Sequence, residues 1–283
     1  MMNELHSNEL PESVVSLAGA FRFRLGATSY VIPADLEPNI RALAGLVDDV
    51  EVVLFESEQY SNLPDVSVIE TMRQVSDAHS LSYTIHFPLD IDLGAHDVNE
   101  RHRSVIQCLR IIALTQPLHP FAYVLHLPPQ PRLADSNTAD GIWNWQRRCI
   151  ESVNIVLTES GILARDICVE NLSYPFEDIY PVVTACDVSV CLDIGHVLLN
   201  RYSLEQYLTR YLERARVIHL HGIENGTDHC SLAHLPEALM TKLMRSLNAS
   251  TIERVLTMEV FGTDHFVSSM NFMKGFTKWV KSL

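Results

Sequence analysis

The chain has 283 residues, 47% of them hydrophobic and 20% charged, enough to bury a large core and within the range of a single α/β barrel. Its 11 glycines and 13 prolines are scattered, which excludes collagen-like and low-complexity classes. With 21 basic against 35 acidic residues the formal charge is −14, which disfavours duplex DNA unless metal ions or a local basic patch reverse the sign at the site.

In chain order, residues 1–20 read as a short N-terminal helical extension, and residues 21–283 as one catalytic domain. Short apolar, β-branched runs then recur at 21–29, 49–56, 82–88, 122–128, 167–172, 188–196, 217–222 and 254–261. Most are continuously apolar rather than alternating, as strands buried on both faces should be. Segments of helical length separate them at 35–46, 65–79, 97–114, 138–160, 176–185, 203–212, 235–247 and 264–280. The first of these begins with Asp35 at an expected N-cap and carries Leu36, Ile40, Leu43 and Val47 at helical spacing. Eight strand-then-helix units predict a parallel sheet closing as an α/β (β/α)8 TIM barrel, with the extension packed across its bottom. An open dinucleotide-binding sheet fits less well, because Gly26-Ala-Thr-Ser-Tyr-Val lacks the second and third glycines of that turn.

The six cysteines, Cys108, Cys149, Cys168, Cys186, Cys191 and Cys230, form no C-x-x-C pair and read as small buried hydrophobes in a reducing compartment. The first twenty residues show no signal-peptide pattern, and no apolar run approaches the ~20 residues of a membrane span. A cytoplasmic protein with no membrane partner is expected.

A barrel does its chemistry where strands end. Here six successive runs end with ligand-competent residues: His86, His126, Glu170-Asn171, Asp193-Ile-Gly-His196, His219-Leu-His221 and Glu259. Imidazoles and carboxylates are ligands for zinc, manganese and iron(II). So many titratable groups in one mouth are costly without a cation, because the carboxylates repel and are desolvated together. Singly, a strand-end His is more often a hydrogen-bonded polar residue, and an acid there can cap the next helix. His221 and His229 are compatible with loop residues, and Glu51, Glu56 and Glu58 with a solvated edge or mouth rim.

The string Glu170-Asn171, Asp193-Ile-Gly-His196, His219 and Glu259 resembles the xylose-isomerase-like barrels, which include sugar epimerases and the endonuclease IV (AP endonuclease family 2) group. The resemblance runs from Leu25 to near Gly262. It implies a metal bound by Glu170, Asp193, His219 and Glu259. The phosphodiesterase branch adds strand-end histidines, matching His86 and His126, the sixth-strand His196, and an acid-plus-His pair after the seventh strand. Here that pair's Asp-x-His spacing is replaced by Thr227-Asp228-His229. His229 still fits as a ligand, Asp228 is in doubt, and two or three divalent ions are implied, with Glu170 as the bridge.

Within that branch, Leu25-Gly-Ala-Thr-Ser-Tyr30, Asp48-Asp-Val-Glu-Val-Val-Leu-Phe-Glu56-Ser, Tyr60-Ser-Asn-Leu-Pro64 and Thr84-Ile-His86-Phe-Pro-Leu-Asp90 resemble the cobamide-remodelling phosphodiesterases. That resemblance implies hydrolysis of the phosphoribosyl bond in a cobamide nucleotide loop, giving an α-riboside and cobinamide phosphate. It makes Glu170, Glu259 and His196 the expected catalytic residues, and Glu56, Tyr60, Asn171 and His221 candidates for binding the corrinoid substrate. Clustered divalent ions suit a phosphodiester, since they bind its oxygens, lower the pKa of a bound water to about 7 and let an anion enter an acidic protein. Only scattered Arg101, Arg103 and Arg132 lie near the mouth, which argues against a DNA-repair enzyme. The proline-rich segment 128–137 with Trp143 and Trp145 offers an apolar rim or, equally, a surface loop and core aromatics. A single-metal sugar isomerase or epimerase and a non-catalytic corrinoid binder are the rival readings.

Overall fold

The computed structural model describes residues 9–57, 60–128 and 139–277. Eight parallel strands close into a barrel: β1 (Arg24–Thr28), β2 (Asp49–Val53), β3 (Ser82–His86), β4 (Ala122–Leu125), β5 (Ile167–Glu170), β6 (Ser189–Asp193), β7 (Ala215–Leu220) and, last, β10 (Val255–Met258). Each pairs with its sequence neighbours, and β10 closes the ring on β1 from Arg24↔Val255 to Ala27↔Met258. An antiparallel hairpin, β8 (Gly222–Glu224) with β9 (Thr227–Cys230), intervenes after β7. Its Asn225 and Gly226 have φ values of 54° and 83°, the conformation that a two-residue hairpin turn demands.

Helices return the chain outside the barrel: α1 (Leu36–Leu43), α2 (Val66–His79), α3 (Val98–Thr115), α4 (Ala139–Ser160), α5 (Tyr180–Ala185), α6 (Ile194–Leu199), α7 (Leu204–Tyr211), α8 (Glu237–Ala249) and α9 (Thr263–Lys274). Asp65 and Asp97 cap α2 and α3 by accepting backbone N–H groups of Val68, and of Asn99 and Glu100, respectively. Asp35 occupies the N-cap position of α1 but makes no side-chain cap. Instead, buried Asn39 accepts the N–H groups of Val31 and Ile32, tying the loop after β1 to the helix. The expected helical extension is not borne out over residues 9–20, which run as turns and coil. Leu17 is buried there, and its N–H donates to Leu46 O. Residues 1–8 lie outside the described residues.

Strand runs read from sequence overshoot the ladders by one to three residues at the mouth, because the first residues of the loops stay buried: Leu54, Phe87, Leu127 and Val260. The main core, with Leu25, Val50, Ile85, Leu192 and Leu220 among its members, lies between strands and helices. A second cluster, Phe121, Ala122, Val124, Cys168, Cys191, Val217 and Val255, fills part of the lumen. The two-residue period of a strand puts Val124 and His126, Cys168 and Glu170, Cys191 and Asp193, and Val217 and His219 on one inner face. An apolar plug therefore underlies a polar mouth. All six cysteines are buried free thiols, as expected.

Candidate metal centre

The strand ends converge. In the first donor set, His86 Nε2 lies 3.5 Å from Glu170 Oε2 and His126 Nε2 lies 3.1 Å from the same oxygen. The second comprises Glu170, Asp193, His219 and Glu259, all buried. Its His219 Nδ1 is 3.5 Å from Glu170 Oε2 and 3.2 Å from Glu259 Oε2. Within each set the candidate ligand atoms lie within 4.8 Å of one another, and the same holds for His196, His221 and His229. Seven of the expected ligands, His86, His126, Glu170, Asp193, His196, His219 and Glu259, thus share one mouth, with Glu170 common to two sets. His229 joins them from β9, held in the left-handed region at φ 52°.

Most of these imidazoles have one nitrogen tied back to the protein, which fixes the tautomer and aims the other inward. His86 Nδ1 donates to Phe87 O at 2.8 Å, and His229 Nδ1 to Glu259 O at 3.1 Å. His196 Nδ1 faces Asp193 Oδ2 at 2.9 Å and Asn171 O at 3.2 Å. His219 Nε2 donates to Glu51 Oε2 at 2.7 Å, with both side chains fully buried.

Glu51 corrects the sequence reading. It is not on a solvated edge but inside the barrel, reaching across from β2 to a metal-ligand candidate on β7. Its carboxylate also lies 3.4 Å from Thr257 Oγ1. Two other candidates are engaged with Asp193. Asn171, a candidate for substrate contact, spends its amide on the backbone of β6: Nδ2 donates to Asp193 O at 2.9 Å and Oδ1 accepts Asp193 N–H at 2.8 Å. His221 is fully buried behind Asp193, with Nε2 3.4 Å from Asp193 Oδ1. Glu56 stays on the rim, as expected, paired with Arg110 of α3 at 2.9 Å, and Tyr60 is exposed beside it. Asp228 lies 4.0 Å from His229 Nε2 and makes no closer pair with it. Glu58, Arg132 and most of segment 128–137 lie outside the described residues.

The electrostatics follow from packing carboxylates among imidazoles. Burial works to raise the Glu170 carboxyl, but His126 and His219 outweigh it and hold the group well below the usual carboxylate range. Asp193 is likewise depressed, burial being outweighed by the His196 and His221 imidazoles beside it. Burial alone would lower His196, yet Asp193 and Glu170 push it up to about 11. His219 is raised well above an ordinary imidazole because its neighbours Cys191, Glu259, Glu51 and Glu170 overcome its burial. Without a cation, protons do the charge balancing.

The residues present fit divalent metal. His219 Nδ1 and Glu259 Oε2 face each other at 3.2 Å, and both are buried atoms with no hydrogen-bond partner among the described residues. Such atoms are costly unless something satisfies them. Their nitrogen and carboxylate donors are those that zinc, manganese and iron(II) accept. His86, His126 and Glu170 would hold one ion, and Glu170, Asp193, His219 and Glu259 a second.

A family profile described as "Xylose isomerase-like TIM barrel" matches residues 41–276. No curated protein matches the chain. Among solved structures, a D-tagatose 3-epimerase-like protein is similar over 92% of this chain and 99% of its own, with a TM-score of 0.73 at 17% identity. A D-psicose 3-epimerase is similar over 91% and 99%, with a TM-score of 0.68 at 16% identity. Endonuclease IV from Thermus thermophilus is similar over 92% and 100%, with a TM-score of 0.61 at 18% identity. At such identities the likeness shows the shared barrel alone.

Proposed function

The chain belongs to the xylose isomerase-like TIM barrel family, and on that premise we propose that it is a metal-dependent phosphodiesterase acting on the nucleotide loop of a cobamide. The observation that carries this reading is Glu170, shared between two complete donor sets. An epimerase working with one ion uses the second set and has no need for His86 and His126 to close on the same carboxylate. Divalent ions, when bound, would supply Lewis-acid activation of water and of the phosphoryl oxygens.

The chain's own residues divide the remaining work. Glu170 holds the two sets in register, through oxygens that face His86, His126 and His219 on one side and His196 on the other. Glu259 closes the second set from the last strand. His196, whose side chain is 17% exposed against 0% for Asp193, opens to the mouth beside that set. Its Nδ1 is engaged with Asp193 and Asn171, so Nε2 is left to orient a phosphate oxygen or pass a proton to the departing ribose oxygen. The cobamide assignment rests on the resemblance of the segments within residues 25–90, which form β1 to β3 and their loops. Exposed Tyr60, Leu89, Trp143 and Phe261, on segments that follow strand ends, suit a large substrate with apolar edges.

The test is to incubate metal-loaded protein with several cobamides and look for free α-riboside together with cobinamide phosphate. Cleavage of abasic DNA without cobamide cleavage would sink the substrate assignment and keep the phosphodiester chemistry. The four-residue set also supports a second reading, a sugar epimerase. Solvent deuterium entering a ketose, with His86→Ala leaving metal content intact, would establish that one instead.

A further inference from the structure

His221 sits beside His196 and His229, close enough to complete a third ligand set. Its own hydrogen bonds assign it differently. Its Nδ1 accepts the backbone N–H of His229 at 3.0 Å, so that nitrogen carries a lone pair and the ring proton is on Nε2. Gly222 O lies 3.3 Å from the same Nδ1, but it is the more distant partner and would need the proton where His229 N–H needs a lone pair. Nε2–H then faces Asp193 Oδ1 at 3.4 Å, a charge contact rather than a closed hydrogen bond, and has no other partner among the described residues. A protonated nitrogen cannot ligate a metal, but it can hold a carboxylate that does.

Gly195 supplies a second, independent observation. It lies inside α6 without a positive φ, where glycine costs roughly 0.5–1 kcal/mol relative to alanine and the backbone does not require it. A Cβ there would fall 2.2 Å from His221 Cε1 and Nε2. The glycine of Asp193-Ile-Gly-His196 is the space into which the His221 ring packs. Two residues apart on one inner face, the histidines of His219-Leu-His221 have opposite polarity. His219 turns a lone pair towards the second set, whereas His221 turns an N–H towards Asp193.

We infer that His221 is a positioning residue that clamps Asp193, and that the His196–His229 pair therefore has no third imidazole ligand, so the centre holds two ions rather than three. The inference rests on the metal-dependent reading of the site. The experiment is zinc titration and metal analysis of the full-length wild type and of His221→Gln, His221→Asn and Gly195→Ala, each checked for folding by circular dichroism. Gln keeps an N–H near the Nε2 position, whereas Asn keeps only an acceptor near Nδ1. We expect about two equivalents in every variant, near-native affinity for Gln, and about 10–100-fold weaker binding of one ion for Asn. Gly195→Ala should weaken binding like His221→Asn, and should do no further harm when combined with His221→Ala. Imidazole 15N shifts give a readout independent of metal: His221 should show a protonated Nε2 before and after zinc is added. Three equivalents in the wild type with one lost in both Gln and Asn variants, or a His221 Nε2 that loses its proton signal on zinc binding, would overturn the inference while leaving a metal enzyme. No bound metal in the wild type would overturn the underlying reading and this inference with it.

Discussion

Glu51→Gln offers the most demanding test of how the centre is built. The Glu51–His219 contact is 2.7 Å long between two fully buried side chains, so neither partner can turn to water when the other changes. A hydrogen bond to a charged group is worth about 1.5–3 kcal/mol, and at about 1.4 kcal/mol per tenfold that is on the order of 10–150-fold in an equilibrium constant. Gln preserves shape but removes the charge. If it presents its amide N–H₂ to Nε2, the His219 proton must move to Nδ1, the atom that faces Glu170 and Glu259. Zinc affinity, measured by competition with a chromophoric chelator, should fall about 10–100-fold, with secondary structure unchanged. Wild-type affinity within about threefold would refute the claim that Glu51 fixes His219 for metal binding, because a broken bond of even the lowest worth exceeds that.

The same groups set the pH dependence of stability. In metal-free protein, His196 is raised to about 11, so its stabilising contribution is complete below the unfolded value near ~6.5 and is lost as pH rises towards 11. Glu170 and Asp193 are depressed, so theirs is present above about 4 and is lost in acid. Denaturation with chelator present should therefore show maximal stability in the mildly acidic range. Metal replaces protons on the imidazoles, so metal-loaded protein should keep its stability on the alkaline side, and zinc binding should release protons measurable in weakly buffered solution. Buried Asp49 is pushed up to about 6 by desolvation, only partly offset by Ser82 and Thr84. Asp49→Asn should therefore remove a penalty of up to about 3 kcal/mol above pH 6 and flatten the urea midpoint between pH 4 and 6. Phe176 is fully buried against Tyr180 and Tyr211, and Phe176→Ala should cost about 3–5 kcal/mol, read from the same titration.

The barrel was legible because its strands are buried on both faces and read as short continuous apolar runs, eight of them alternating with segments of helical length. The ends of elements were less so. Runs 49–56 and 82–88 continue past Val53 and His86 because Leu54 and Phe87 are as buried as the strands themselves, and hydropathy does not distinguish a ladder from a buried loop. The β8–β9 hairpin carried a readable signal in Asn225-Gly226, but its strands are too short and polar to show a period. At the start of the chain residues 1–20 read as a helical extension, where residues 9–20 form none. There the segment is held by Leu17 in the core and by hydrogen bonds from Ser16 and Gly19 to Gly45 and Asp48.

In the site, what could be read was what ends a strand. His86, His126, Glu170, Asp193, His219 and Glu259 each follow an apolar run, and the structure brings all of them together. Glu51 escaped because it sits mid-strand within Asp48-Asp-Val-Glu, where neighbouring acids suggest a solvated rim. Only closure of the barrel sets β2 opposite β7 and joins residues 168 positions apart. His221 and Asn171 were visible as polar residues near strand ends, but sequence does not show which hydrogen bonds they make: Asn171 bonds the backbone of Asp193 and His221 Nδ1 the backbone N–H of His229. The general consequence is physical. Each buried ligand must be held by a neighbour whose own polarity is fixed, so the neighbours come from whichever strands the lumen places opposite. In this barrel they come from β2, for His219, and from the residue that follows β7, for Asp193. A motif confined to strand ends therefore identifies the candidate ligands, while the residues packed behind them, such as Glu51 behind His219, become visible only when the sheet is closed.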